Sequence, residues 1–371
     1  MFAKARTYII MHKNKEVASI RKDGYCEIYH RDFMPYNLYF EVQTQDLDER
    51  VNNLTNFYYW CSSRVLSLDR KYAKEILNFL DKKQAVTDKD RAEIALSYHC
   101  LTLTDVFWVR KNDETLFFEN ISLYRHSLSE AFFDVCLRGV NPTLQNQEFL
   151  TQGKVAGDIS TSGVAPKAWL RKNGEIFLYK DGNINEVNAE LLASKIAGCF
   201  QCNRVEYFEE YYLGQKVCAS KLITSEEKSI VPMEFIEVYA ANNDTDKFSI
   251  VLNKDAYNYY MMNIIDYLTG NSDRHWGNWG FFVDNATNQL TELYPLMDFN
   301  KAFTAYENIE GAKCLTSKTP MTQKQAAIEA VSEIGLNQIA EISGEWFYDA
   351  KTREMFFKRL AVLKEVESTK K

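Results

Sequence analysis

The stretch from Ala256 to Phe299 constrains this chain more than any other. Tyr257, Met261, Ile264, Ile265 and Leu268 recur at intervals of three and four, so the spacing predicts a deeply buried helix over 256–268. That helix delivers the chain to Gly270-Asn271-Ser272-Asp273-Arg274-His275-Trp276-Gly277-Asn278. A polar surface turn accounts for Gly270 and Asn271. It does not account for Asp273, His275 and Asn278 set among Trp276, Trp279, Phe281 and Phe282. Nor does it account for a carboxylate that returns at Asp298, after a hairpin of residues 279–284 and 289–293 turning at Asn285-Ala286-Thr287-Asn288.

Asp273 and Asn278 are five apart (278 − 273), the Asp-to-Asn spacing of a protein-kinase catalytic loop, and Asp298-Phe299 then supplies a second Asp-Phe. Phosphoryl transfer needs a carboxylate to accept or orient the proton of the attacking hydroxyl. It also needs oxygen ligands that hold Mg²⁺ against phosphates, and Mg²⁺ prefers carboxylates, amide carbonyls and water. Asp273 fits the first role; Asn278 and Asp298 fit the second. His275 lies between the Asp and the Asn, and is read as a brace that hydrogen-bonds a backbone carbonyl, with direct proton transfer as the alternative.

At 371 residues the chain is long enough for two or three domains. Its 46% hydrophobic and 26% charged content is that of a globular protein. The net charge of 44 − 51 = −7 favours neither direct nucleic-acid contact nor an anionic membrane surface. No leader and no 18-residue apolar run is visible, so neither secretion nor membrane spanning is expected. Eight scattered cysteines read as reduced cytoplasmic thiols, and Cys199-x-x-Cys202, without a second pair or a nearby His, reads as structural rather than zinc-binding. His99 and His126 are likewise read as structural.

In chain order, residues 6–30 alternate as a small three-stranded meander, and 47–80 turn helical, with Val51, Leu54, Phe57, Tyr58 and Cys61 on one period. A helix over 91–100, a strand over 101–109 and a helix over 127–138 complete an N-terminal α+β accessory domain, 1–145, bounded at Asn141-Pro142-Thr143. Residues 150–240 then read as a β-rich lobe. A loop Ser160-Thr161-Ser162-Gly163 precedes a hairpin turning at Asn173-Gly174, and its hydroxyls and N–H groups could cover phosphates. Lys180 closes the hairpin, and Glu190, ten residues on (190 − 180), lies on a helix capped at Asn185. A strand Lys followed by a helix Glu is the arrangement that holds α- and β-phosphates in kinases. Two further strands, 216–224 and 229–236, run antiparallel, and a nucleotide base is expected against the backbone of Met233, Glu234 and Phe235. Residues 245–371 form a helical lobe, with helices over 323–334, 336–342 and 350–365 covering its back.

With these residues in hand, the chain resembles the HipA-like serine/threonine kinases of bacteria, in their shorter, single-gene or split branch. The resemblance covers roughly 150–310. It is carried by Ser160-Thr161-Ser162-Gly163 with Pro166-Lys167, by Lys180 with Glu190, by Asn271 through Asn278, and by Asp298-Phe299. It implies an α+β, two-lobed protein-kinase-like fold, ATP and Mg²⁺ as cofactors, and a protein substrate with a Ser or Thr acceptor. It further implies autophosphorylation of a loop serine (Ser160 or Ser162), which would repel the ATP phosphates and switch the enzyme off, and a small helix-turn-helix antitoxin as partner. Asn300 stands where eukaryotic-type kinases carry the Gly of their mobile switch. Two alternatives remain open: a lipid kinase, because phosphoinositide kinases share an Asp-Arg-His-x-x-Asn string, and a nucleotide-binding pseudokinase scaffold.

Overall fold

The structure, a computed structural model, describes residues 7–80, 87–139, 159–160, 164–304 and 306–369. The chain divides into two compact units: residues 1–180, 222–229 and 283–289 form the first, and 181–221, 230–282 and 290–371 the second. The boundary expected at residues 141–143 lies outside the described residues.

The first unit is built on an antiparallel sheet ordered β3-β2-β1-β4, from β1 (Thr7–His12), β2 (Lys15–Arg21), β3 (Cys26–Ile28) and β4 (Phe107–Lys111). His12 pairs with Lys15 across a two-residue turn in which Lys13 takes φ 49°, the left-handed geometry of hairpin turns. α1 (Leu47–Ser62) is capped by Asp46, whose carboxylate accepts the N–H groups of Asp48 and Glu49. Its Phe57, Trp60 and Cys61 are buried. The helical stretch expected over 47–80 is two helices, because a turn intervenes before α2 (Ala73–Phe79), where Tyr72 sits at φ 68°. α3 (Asp88–Ser97), closed by a Thr87/Asp90 capping box, packs on α1.

The strand expected over 101–109 begins only at Phe107. His99 and Cys100 both take φ 55°, and residues 101–106 follow an irregular, bent path beside a partly buried ion pair. There Arg64 holds Asp105 at 2.6 Å and donates to the Cys100 carbonyl at 2.7 Å. His99 engages the Val109 carbonyl and His126 the Glu119 carbonyl, as structural histidines do. After α4 (Phe118–Ile121) and α5 (Glu130–Arg138), β5 (Lys167–Lys172) and β6 (Glu175–Lys180) form the expected hairpin, with φ 53° at Asn173 and 82° at Gly174.

In the second unit, α6 (Ile184–Ala197) starts at Asn183, two residues before the expected cap, in a capping box with Glu186. β7 (Tyr207–Tyr212) and β8 (Gln215–Lys221) pair as a hairpin. β7 was not expected; it, and not the 229–236 segment, is the antiparallel partner of β8. β9 (Lys228–Pro232) instead joins a three-stranded sheet ordered β11-β10-β9, with β10 (Gly280–Asp284) and β11 (Gln289–Leu293). The chain then turns helical at once: α7 (Met233–Asn242) begins directly after Pro232.

The core of this unit is α8 (Lys247–Thr269), two helical runs joined at Asp255, whose φ of −159° breaks the ladder. The Asp255 carboxylate accepts the Asn258 N–H, capping the second run, and the Leu293 N–H. Met261, Ile264, Ile265 and Leu268 are fully buried, each burial stabilising by about 1.5–3 kcal/mol. α9 (Gln323–Ile334) and α10 (Ala350–Thr369) pack on α8. The helix expected over 336–342 is instead an irregular strap. Gly335 and Asn337 take φ 80° and 52°, and its backbone bonds Cys199 and Gln201 beyond the end of α6.

Candidate active site

The site grows from the C-terminus of α8. Gly270 ends the helix at φ 60°, and a Cβ there would lie 2.4 Å from the Tyr306 ring, so both conformation and packing require glycine. Behind it Arg359, fully buried, donates to the Tyr267 and Asn308 carbonyls at 2.6 and 2.8 Å and lies over the Tyr306 ring at 4.3 Å.

Asn271 next donates its side-chain amide to Asp266 at 3.1 Å and accepts the Asp273 N–H at 3.3 Å, while its carbonyl takes a 2.6 Å bond from Gln323. Arg274, 2% exposed, is the keystone. Its guanidinium holds both oxygens of Asp266, at 2.9 and 3.0 Å, and donates to the carbonyls of Asn278, at 3.0 Å, and Met297, at 2.5 Å. It also lies 5.3 Å from the centre of the Phe299 ring. Burial pulls the guanidinium down, but the Asp266 and Asp298 carboxylates outweigh it and hold Arg274 above its ordinary range. One side chain therefore ties the C-terminal end of α8, the far end of the loop and the approach to Asp298 together.

Asn278 donates its amide N–H to the Asp273 carbonyl at 2.8 Å. That fixes the amide's orientation and leaves its oxygen as the end able to ligate a cation. Instead of the expected backbone carbonyl, His275 engages a backbone donor within the loop: its Nδ1 accepts the Gly277 N–H at 3.1 Å.

Asp298 sits at φ 58°, a left-handed conformation unusual for a residue with a side chain. The segment before it is fastened to residues 203–205, through Val205 N–H to the Leu296 carbonyl and Leu296 N–H to that of Asn203. The Asp298 N–H donates to the Tyr207 hydroxyl at 3.4 Å, and the Phe299 N–H to the Glu190 carboxylate at 3.0 Å. Glu190, 1% exposed, thus grips the Asp-Phe backbone directly.

Met233, Glu234 and Phe235 form the first turn of α7 and not an extended strand end. The N–H groups of Met233 and Glu234 donate to the Trp279 and Trp276 carbonyls at 2.9 and 3.0 Å, so those two donors are committed within the protein. Lys180 closes β6 in the first unit, 8% exposed. Ser160 is half-buried; Thr161, Ser162 and Gly163 lie outside the described residues.

The second unit thus brings together Asp273, His275 and Asn278, and fastens Asp298 and Glu190 to that loop through Arg274 and Phe299. Arg274, Tyr207 and Arg359 escaped the sequence reading. Arg274 stands inside the motif, but its partners are set by tertiary structure. Among the described residues no three His, Cys, Asp or Glu side chains cluster as a metal site. A Mg²⁺ ion needs less, since it keeps water and phosphate oxygens in its shell. The Asp298 carboxylate, the Asn278 amide oxygen and the buried, unpartnered Asn300 Oδ1 are oxygen donors of the kind it takes. All eight cysteines are free thiols. Among the described residues no helix is long and apolar enough to cross a membrane.

No family model matches the chain. No curated protein matches it either. Among solved structures it is similar to HipA of Shewanella oneidensis MR-1, from a toxin–antitoxin complex with HipB and operator DNA. The match has a TM-score of 0.51 and 13% identity, over 97% of this chain and 90% of that one. A second similar structure is the proinflammatory kinase CtkA of Helicobacter pylori, at TM-score 0.45 and 16% identity, over 56% of this chain and 92% of that one. The chain has the α+β fold of a HipA-like kinase.

Proposed function

We propose that this chain is an ATP- and Mg²⁺-dependent protein serine/threonine kinase of HipA-like type. The observation that carries the reading is the arrangement around Arg274, which ties the Asp273–Asn278 loop to the segment bearing Asp298. Asp273 accepts or orients the proton of the substrate hydroxyl. Asn278 and Asp298 hold Mg²⁺, which, when bound, neutralises charge on the transferring phosphoryl group. Lys180 and the loop of residues 160–163 bind the phosphates, with Glu190 as the partner expected of Lys180. Glu190 additionally holds the Phe299 N–H, so the same carboxylate steadies the metal-binding segment. The base lies against the 233–235 segment through groups other than the Met233 and Glu234 N–H donors.

The substrate is a protein with a Ser or Thr acceptor, and the chain also phosphorylates its own Ser160 or Ser162. The added charge, about −1.5 to −2 at neutral pH, repels ATP and switches the enzyme off. The likeness to a HipA solved with HipB and operator DNA supports a small helix-turn-helix antitoxin as partner. Free cysteines suit a cytoplasmic setting.

Incubation with γ-labelled ATP and Mg²⁺, followed by phosphosite mapping, tests the reading. Label on Ser or Thr, including residues 160–162, is the expected result. Label in inositol lipids alone would instead make the chain a lipid kinase, and nucleotide binding without transfer would make it a scaffold.

A further inference from the structure

We propose that Lys301 and Glu186 are positioning residues for Asp298, forming with Glu190 a two-point clamp that holds residues 298–301 on α6. The proposal rests on the kinase reading above and concerns the same site. Glu186 and Glu190 stand one helical turn apart (190 − 186 = 4), so both carboxylates leave α6 on one flank. Glu190 accepts the Phe299 N–H at 3.0 Å, and Glu186 accepts the Lys301 ammonium at 2.6 Å. All four residues belong to the second unit.

The two contacts do different things. Asp298 stands at φ 58°, a backbone conformation that its surroundings must impose. A single bond at Phe299 leaves the segment free to pivot about it; a second bond two residues on removes that freedom. The turn between them is closed, because the Ala302 N–H bonds the Phe299 carbonyl at 2.9 Å and the Lys301 carbonyl accepts the Thr304 hydroxyl. A displacement of Lys301 is therefore carried back to Phe299 and to the carboxylate before it.

Glu186 is fixed independently of Lys301. Its Oε2 accepts the Asn183 N–H at 3.3 Å in the capping box, while Oε1 takes the lysine, so each oxygen has one task. The carboxylate folds back over Gly182, where a Cβ would lie 2.6 Å from Oε2, so a larger residue there would displace it. The anchored anion sets the position and the long, flexible cation follows. The pair is partly open to water, with side-chain exposures of 43% for Lys301 and 23% for Glu186, so it adds little to global stability. Its contribution is geometric, since contacts outside a metal's own ligands fix how those ligands point.

Three variants of the full chain separate this role from ordinary packing. Lys301→Met deletes the cation, and Lys301→Arg restores the ion pair. Glu186→Gln deletes the charge but keeps an oxygen for the cap, since capping boxes accept Gln at that position. Nucleotide-free variants should melt within about 4 °C of the parent, the most that one partly exposed pair supplies. In Lys301→Met, amide hydrogen exchange at Phe299 and Ala302 should speed up about fivefold. Calorimetry with a non-hydrolysable ATP analogue should show unchanged affinity without Mg²⁺ and about a tenfold loss with it, in Lys301→Met and Glu186→Gln alike. The double variant should lose no more than either single one, and Lys301→Arg should bind like the parent. A melting temperature well below the parent's, unaltered exchange, an equal loss without Mg²⁺, additive losses, or no rescue by Arg would each overturn the proposal. If the parent itself shows no Mg²⁺-dependent nucleotide binding, the kinase reading falls and this proposal with it. If the parent binds and Lys301→Met stays within about threefold of it, only this proposal falls.

Discussion

Replacing Arg274 with methionine removes four hydrogen bonds at once and leaves the Asp266 carboxylate, 4% exposed, without its cation. Breaking a buried ion pair from one side costs about 3–5 kcal/mol, because the remaining charge stays desolvated. The Asn278 and Met297 carbonyls also lose a donor, adding about 1–3 kcal/mol each where water cannot replace it. Even the lower end of that sum, about 5 kcal/mol, would lower the melting temperature of the second unit by about 10–20 °C. The informative variant is the double one, Asp266→Leu with Arg274→Met. Removing both charges abolishes the unpaired carboxylate, so this variant should recover about 2–3 kcal/mol relative to the sum of the two single changes. It should not recover Mg²⁺-dependent nucleotide binding, since the tethers to Asn278 and Met297 are still missing. Thermal melts of the parent, both singles and the double, with binding measured on each, give the full cycle. Strictly additive losses would refute the ion-pair argument. A double variant that binds Mg²⁺·nucleotide like the parent would refute the positioning role.

Asp273→Asn should keep the fold and nucleotide affinity yet lower turnover on the order of 10²-fold or more; full activity would remove Asp273 from the mechanism. Gly270→Ala must hold φ 60° and meet the Tyr306 ring at 2.4 Å, so a loss of about 2–4 kcal/mol is expected in denaturant titration, and a neutral result would contradict the packing behind the loop. His12, buried between Phe33 and Phe107, is held neutral by desolvation, with Lys13 and Lys15 adding to this and Asp105 opposing, so that its pKa falls from 6.5 to about 4. The unfolded chain therefore takes up this proton first. Stability should fall as pH drops from about 6.5 toward 4, by about 3 kcal/mol in all. That component should vanish in His12→Leu, and an unchanged pH profile in the variant would refute it.

Most of the elements and the spacing of the candidate loop were legible, because each rests on a local rule. The Asn173-Gly174 turn, the amphipathic period of 256–268 and the Asp273-to-Asn278 spacing all lie within a few residues of the structure that they specify. What was not legible depended on distant partners. β7 reads Tyr-Phe-Glu-Glu-Tyr-Tyr, and its central pair of glutamates breaks the alternation that marks a strand. The 336–342 segment has a helical composition, but its backbone is claimed by residues 199–201. Pro232 lies inside the strand expected over 229–236, yet it closes β9 and stands as the N-cap of the next helix, and the N–H groups of Met233 and Glu234 that follow it go to the tryptophan carbonyls of the loop. In the site itself, Arg274 could be seen as a charge, but nothing in the motif shows that its partners are Asp266 and Met297.

Arg359 has a consequence for synthesis. The loop that opens at Gly270 leaves the ribosome 359 − 270 = 89 residues before the side chain that closes the space behind it. At about 5–20 residues per second, that gap lasts roughly 5–20 s. Throughout that interval the nascent chain carries every residue of the candidate catalytic loop but lacks its rear support. A growing polypeptide should therefore stay catalytically silent until α10 has emerged and docked, so that any activity appears late and all at once.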